Sequence, residues 1–177
     1  MKILITGTPG TGKSSVAVEI GRKKRWPPLI LKELAERKGC ISGEEAGEKI
    51  VDAEKLGKEA RKELRGRKNA VVEGHLGCEF SLPVEYVFVL RTHPKELRKR
   101  MRSRGYPPRK IEENLMAEML DYCTQLSEKN YRAPVLELDT TRRNAKETAA
   151  RIISYMEGKV KKLDEVDWSG ELRKKVI

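Results

Sequence analysis

The stretch "KILITGTPGTGKSSVAVEI", residues 2–20, decides the fold: an apolar run ends in G-x-x-x-x-G-K-S and continues at helical spacing. A glycine loop between a strand and a helix lets backbone N–H groups turn inward around phosphate, and the helix N-terminus adds a favourable dipole. On this reading Gly10 and Gly12 shape the cradle, Lys13 reaches the terminal phosphates, the Ser14 hydroxyl ligates Mg2+, and Ser15 donates to the α-phosphate. A bare strand-to-helix turn would use the glycines equally well, but it has no need of Lys13 and Ser14 at those two places.

Working outward, short apolar runs alternate with longer periodic segments. Residues 2–6, 70–74, 86–90 and 134–138 read as strands, and the first three lack strict polar alternation, as strands covered on both faces do. In "RWPPLIL" (25–31) Pro27 and Pro28 exclude helix, so "LIL" is a candidate short strand. Helices are expected over 13–24, 44–65, 94–104, 109–128 and 144–157. The alternation predicts an α/β three-layer sandwich with a central parallel sheet, as one domain over 1–177.

A second stretch, "VVEGHLGCEF" (71–80), ends an apolar run on Glu73. P-loop enzymes need a second acid at a strand tip to hold Mg2+ or its waters, and Glu73 is placed for that, directly or through water, or as base for an attacking water. Three apolar residues before it argue against a merely solvated strand-end charge. For His75 two readings stay open: a structural hydrogen-bond partner, or a catalytic group.

The third feature is "RTHPKELRKRMRSRGYPPRK" (91–110), where nine Lys and Arg residues face one acid, Glu96. Such a run is usually a solvated face. Arg100 and Arg104, however, are four apart on an expected helix, so both are candidates to reach a transferring phosphoryl group. The remaining cations point elsewhere and are available to RNA, with "RKKR" (22–25) a weaker second patch.

The formal charge of +11, with 37% charged residues, suits a polyanionic or acidic partner, although dense charge is also a heat-adaptation signature. Cys40, Cys78 and Cys123 form no C-x-x-C pair and point to neither a zinc site nor a disulfide framework. No apolar stretch is long enough to span a bilayer, so no membrane association and a cytoplasmic location are expected. The absence of N-K-x-D disfavours a GTPase.

Taken in order, "ITGTPGTGKSS", "ELAERKGC", "VVEGHLGCEF", "VFVLRTHPKELRKRMRSRGYPPRKIEENL" and "DEVDWSGEL" resemble the small adenylate kinases of the archaeal and coilin-interacting nuclear ATPase type. The resemblance covers most of the chain, with R-G-Y and I-E-E-N its distinctive pair. It implies a nucleoside monophosphate kinase fold with a short lid near 103–113 and a nucleoside-monophosphate region near 30–53. ATP with Mg2+ would bind at Gly10, Gly12, Lys13, Ser14 and Ser15, Glu73 and His75 would form the Walker B acid-x-His element, and Arg104 would contact nucleotide. The implied activity is broad-specificity adenylate kinase (ATP and AMP to two ADP) with ATP hydrolysis, acting in small-subunit rRNA maturation.

The implied partners are AMP as acceptor and the small-subunit platform ribosomal protein universally numbered eleven, with rRNA reached through 94–104. Acidic or apolar patches such as "GEEAGE" (43–48) and "LDEVDW" (163–168) would receive the basic ribosomal protein. The sequence departs from the family in Glu rather than the eukaryotic Asp at 73, an inserted Leu76, and an unusual "RWPPLIL". An assembly ATPase with little kinase activity and a P-loop kinase for another small acceptor are the alternatives.

Overall fold

The computed structural model describes residues 1–45 and 48–176. A five-stranded parallel sheet runs through it in the order β2 (Pro28–Ile30), β5 (Ala70–Glu73), β1 (Lys2–Thr6), β6 (Tyr86–Arg91), β7 (Val135–Asp139). Strands in such a sheet are apolar on both faces because helices cover both. In β1, Ile3 and Ile5 point to the layer of α1 (Lys13–Lys24) and α7 (Ala145–Met156), while Leu4 points to the opposite layer. That second layer holds α2 (Leu31–Arg37), α3 (Ala53–Arg65) and α6 (Tyr122–Asn130). The three-layer α/β architecture expected from the sequence is therefore the observed one.

Two expected helices are redrawn. Among the described residues of the periodic segment 44–65 only α3 is helical; ahead of it, β3 (Ile41–Glu45) and β4 (Glu48–Val51) pair antiparallel as a separate two-stranded unit. Gly43 opposes helix, and Asp52 starts the helix late by accepting a hydrogen bond from the Lys55 N–H at 2.9 Å. The expected helix over 109–128 is two, α5 (Pro108–Met119) and α6. They are broken at Asp121, which adopts a left-handed conformation (φ 53°) while its carboxylate pairs with the buried Arg91 guanidinium.

A third cluster lies where α4 (Pro94–Ser103) meets α5. Leu97, Met101, Ile111, Leu115 and Met119 pack there, and Trp168 and Leu172 close it. Leu172 belongs to the last helix, α8 (Ser169–Val176). Part of "LDEVDW" is taken up internally, since Leu163 is buried, Asp164 accepts from Arg143 and Arg151, and Trp168 packs inward, while Glu165 and Asp167 stay exposed. The other expected patch, "GEEAGE", includes residues 46 and 47, which lie outside the described residues.

Candidate active site

The cradle sits on the central strand, where the C-terminal end of β1 opens towards helix α1. At Gly7 the backbone passes so near β6 that a Cβ would stand 2.4 Å from the Leu90 carbonyl oxygen, so only glycine fits. Gly12 caps α1 in the left-handed region (φ 97°), which glycine enters without steric cost. Lys13 is 7% exposed and its Nζ donates to the Thr8 carbonyl at 3.1 Å. Burial lowers its pKa, partly countered by Glu73, Cys123 and Glu118.

Glu73 ends β5 beside β1, paired in register with Ile5, and is 5% exposed. Burial raises its pKa, while Lys13 and a hydrogen bond from the Ser14 hydroxyl pull it back down. The hydroxyl and carboxylate expected to hold Mg2+ therefore line the same cleft, near one another. Two hard oxygen donors suit Mg2+, which takes its remaining ligands from substrate phosphate and water. Ser15 follows on the exposed first turn of α1.

These groups line a cleft of about 720 Å³. One wall is the loop of Thr8, Pro9 and Gly10 with Lys13 and Ser14, continued by Glu73, Gly74, His75 and Leu76. A second wall comes from α2 and the β3–β4 pair, through Leu31, Lys32, Glu36, Ile41, Lys49 and Val51, with Lys49 bridging to Glu36 at 2.8 Å. The third carries Arg104 and Tyr106 from the turn between α4 and α5, then Lys110, Asn114, Tyr122 and Cys123. His75 is exposed on its wall, and its carbonyl accepts from Thr6 Oγ1 and Cys78 Sγ, both at 3.1 Å.

Arg100 is not brought together with Arg104. Its guanidinium is held by Glu96 at 3.0 Å and by the carbonyls of Thr140 and Thr141 at 2.8 and 3.1 Å, which turns it towards the β7–α7 loop. Four residues along a helix share a face only inside the helix, and α4 ends at Ser103, so Arg104 follows the turn instead. Arg104→Ala should lower the maximal rate about 10²-fold with little change in ATP affinity, because it loses charge that acts on the moving phosphoryl group. Arg100→Ala should act mainly on melting temperature. Paired steady-state and thermal-unfolding measurements separate the two, and equal rate losses would return Arg100 to the site.

The basic run also thins out in three dimensions. Arg91 is 2% exposed, and Arg98 pairs with Glu112, which leaves Lys95, Lys99 and Arg102 exposed on α4. Arg91 anchors a buried network that the sequence reading did not find. Its Nε donates to Glu118 Oε1 at 3.0 Å and its Nη2 to the Glu118 carbonyl at 2.9 Å, while Glu137 and Asp121 close the shell. Glu118 then accepts from Thr8 Oγ1 at 2.5 Å and from the Thr92 N–H at 2.9 Å, tying the phosphate loop to helix α5. The available signal was Glu118 itself, a carboxylate on the apolar stripe of Ile111, Leu115 and Met119.

A glycine cradle at the C-terminal end of a parallel sheet, with Lys13, Ser14 and a strand-tip Glu73 meeting in one cleft, defines the class of P-loop nucleotide-binding proteins. Residues 3–121 match the family described as an AAA domain. A protein of Thermococcus onnurineus named "Putative adenylate kinase" is 36% identical over 99% of this chain and 96% of its own length. One of the same name from Archaeoglobus fulgidus is 38% identical, again over 99% and 96%. The chain belongs to this archaeal adenylate kinase family. Among solved structures, the fold is similar to shikimate kinase from Acinetobacter baumannii (TM-score 0.66, 16% identity, 89% of this chain and 93% of that one). It is also similar to deoxyadenosine kinase from M. mycoides (TM-score 0.59, 17% identity, 90% and 100%).

Proposed function

We propose that the protein is an adenylate kinase that moves the γ-phosphoryl group of ATP to AMP, and that water replaces AMP in a slower hydrolysis. The observation that carries this reading is a single cleft in which the phosphate cradle faces a second wall built from residues 30–51. A donor and an acceptor nucleotide need such opposed walls so that attacking and leaving oxygens lie in line. The region 30–53 is then the acceptor side, and the turn at 103–113, bearing Arg104, Tyr106 and Lys110, is the lid.

There is little covalent work for the protein in this transfer; it positions and neutralises. Mg2+, where bound, offsets phosphate charge, and Ser14 with Glu73 would hold it directly or through water. Lys13 leaves the Thr8 carbonyl for the terminal phosphates, and Arg104 meets charge that develops as the group moves. His75 lies beside Glu73 and is placed to orient the attacking water in hydrolysis.

The exposed cations Lys95, Lys99 and Arg102 support a second role, contact with small-subunit rRNA during its maturation, with the platform ribosomal protein as companion. ADP formation from ATP should rise steeply with added AMP and respond more weakly to CMP, UMP or shikimate. A rate indifferent to AMP would leave the hydrolysis reading in its place. In a filter-binding salt series, RNA affinity should fall with a slope set by about three phosphates, and a slope near zero would remove the RNA role.

A further inference from the structure

Glu118 is 1% exposed and does not line the cleft, and its two carboxylate oxygens take donors from different elements. Oε1 accepts from Arg91 Nε at 3.0 Å and from the Thr92 N–H at 2.9 Å, both at the end of β6. Oε2 accepts from the Thr8 hydroxyl at 2.5 Å, inside the phosphate loop. Helix α5 thus supplies the acid, the sheet its counter-charge, and the loop a hydroxyl that has one proton to give.

Thr8 is also where the loop is organised. Its carbonyl accepts from Lys13 Nζ at 3.1 Å, from Thr11 Oγ1 at 2.9 Å and from the Thr11 N–H at 3.3 Å. The side chain of Thr8 fixes this peptide to Glu118, and the carbonyl gathers the rest of the loop. A second tie reaches the loop from the same place: Thr140 Oγ1, 2.7 Å from the Thr92 hydroxyl, donates to the Thr11 carbonyl at 2.9 Å. None of these four threonines is more than 2% exposed, so each bond is made within the protein. The helix that holds the loop also carries Asn114 and Lys110, four and eight residues before Glu118, to the cleft wall.

We infer that Glu118 is a positioning residue for phosphoryl transfer: held by Arg91 and Thr92, it fixes Thr8 so that Lys13 and the loop N–H groups stand in place before phosphate arrives. This rests on the reading of the loop as a phosphate cradle. Donors aimed in advance at developing charge need no reorganisation during the reaction, and a misplacement of about 1 Å costs on the order of 10²-fold in rate. A carboxylate is required for the task. Arg91 and Thr92 both donate to Oε1, so an amide at this position keeps its oxygen there and turns its nitrogen towards Thr8, where donor then faces donor. Glu118→Gln therefore preserves shape and reverses the polarity of the one bond that matters to the loop.

The test compares Thr8→Val, Glu118→Gln and the double variant in the full chain by deuterium exchange of the peptide spanning residues 7–14, by ATP turnover and by thermal unfolding. Thr8→Val leaves the Arg91–Glu118 pair in place, and in Glu118→Gln the carboxylates of Glu137 and Asp121 still face Arg91, so both variants are expected to fold. Each should speed exchange in that peptide and lower turnover at saturating ATP about tenfold, with most of the loss in melting temperature confined to Glu118→Gln. Both changes break the same hydrogen bond, so the double variant should turn over no more slowly than the slower single one. An acid that serves the fold alone would lower the melting temperature in Glu118→Gln while Thr8→Val kept the wild-type rate and the wild-type exchange. Either of those two results overturns the inference, as do rate losses that multiply in the double variant. Exchange is read on the free protein and decides the positioning role even if AMP is never phosphorylated, whereas turnover indifferent to AMP sinks the acceptor reading alone.

Discussion

Replacing Lys13 with alanine should lower phosphoryl transfer and hydrolysis on the order of 10³-fold, the upper range for removing one preorganised donor to developing charge. The structure gives two reasons for so large an effect. Lys13 is the cation buried within the cradle, and at rest its Nζ donates to a neutral carbonyl, that of Thr8, so phosphate is its better hydrogen-bond partner. Its charge is also what keeps the buried Glu73 carboxylate from drifting further upward in pKa, so the same substitution weakens the metal-side acid. Glu73→Gln should behave differently, keeping nucleotide affinity while turnover falls, because the amide preserves shape and loses charge. Single-turnover ADP formation alongside equilibrium ATP binding distinguishes the two variants. A Lys13→Ala enzyme within a few-fold of wild type would remove the cradle from the mechanism.

Replacing Arg91 with methionine should give the largest loss of stability of any single exchange considered. The guanidinium is shared among Glu118, Glu137 and Asp121, and these carboxylates together with burial define its environment. Burial alone would lower its pKa, but the carboxylates outweigh it and push it up, so the cation never titrates in the folded state. Taking it away leaves the buried Glu118 carboxylate without its cation and with Glu137 and Asp121 facing it. Removing one partner of a buried ion pair costs about 3–5 kcal/mol. At ~2–4 °C per kcal/mol for a domain of this size, that is a melting point lower by roughly 10 °C. Thermal unfolding followed by circular dichroism reads this directly. A melting point unchanged by Arg91→Met would mean that the acids relax towards solvent, and the network would not be what ties α5 to the phosphate loop.

The two substitutions mark what was legible in the sequence and what was not. Lys13 was readable because its chemistry is local: the cradle, the start of the helix that follows and the cation all lie within eight residues of one pattern, residues 7–14. The strands were readable for a related reason, since runs such as "YVFVL" are apolar on both faces wherever they are placed. Arg91 looked like the first of nine similar cations, and only the convergence of β6, α5, α6 and β7 shows it to be interior. Arg100 failed in the same way, because helical spacing gave its face correctly while the carbonyls that capture it, at 140 and 141, are remote in sequence. The strand pair Ile41–Glu45 and Glu48–Val51 was hidden because Glu44, Glu45, Glu48 and Lys49 suit a helix equally well, and Asp52 starts α3 only after them.

The placement of β1 at the middle of the sheet also bears on how the chain reaches its native state. Ile5 is aligned with Glu73 and Thr6 with Val89, so both edges of the central strand are satisfied only by segments remote along the chain. Contacts of that kind demand loop closure before they return any stabilisation, and parallel sheets are accordingly slow to assemble. Until β5 and β6 have docked, the loop at 7–14 has no rigid strand beneath it and no Glu73 beside it, so partly folded chains have little to offer a nucleotide. On the proposed reading ATP would bind the finished protein in preference to such chains, and at a hundred times its dissociation constant it would add ~2.7 kcal/mol to the gap between folded and unfolded chains.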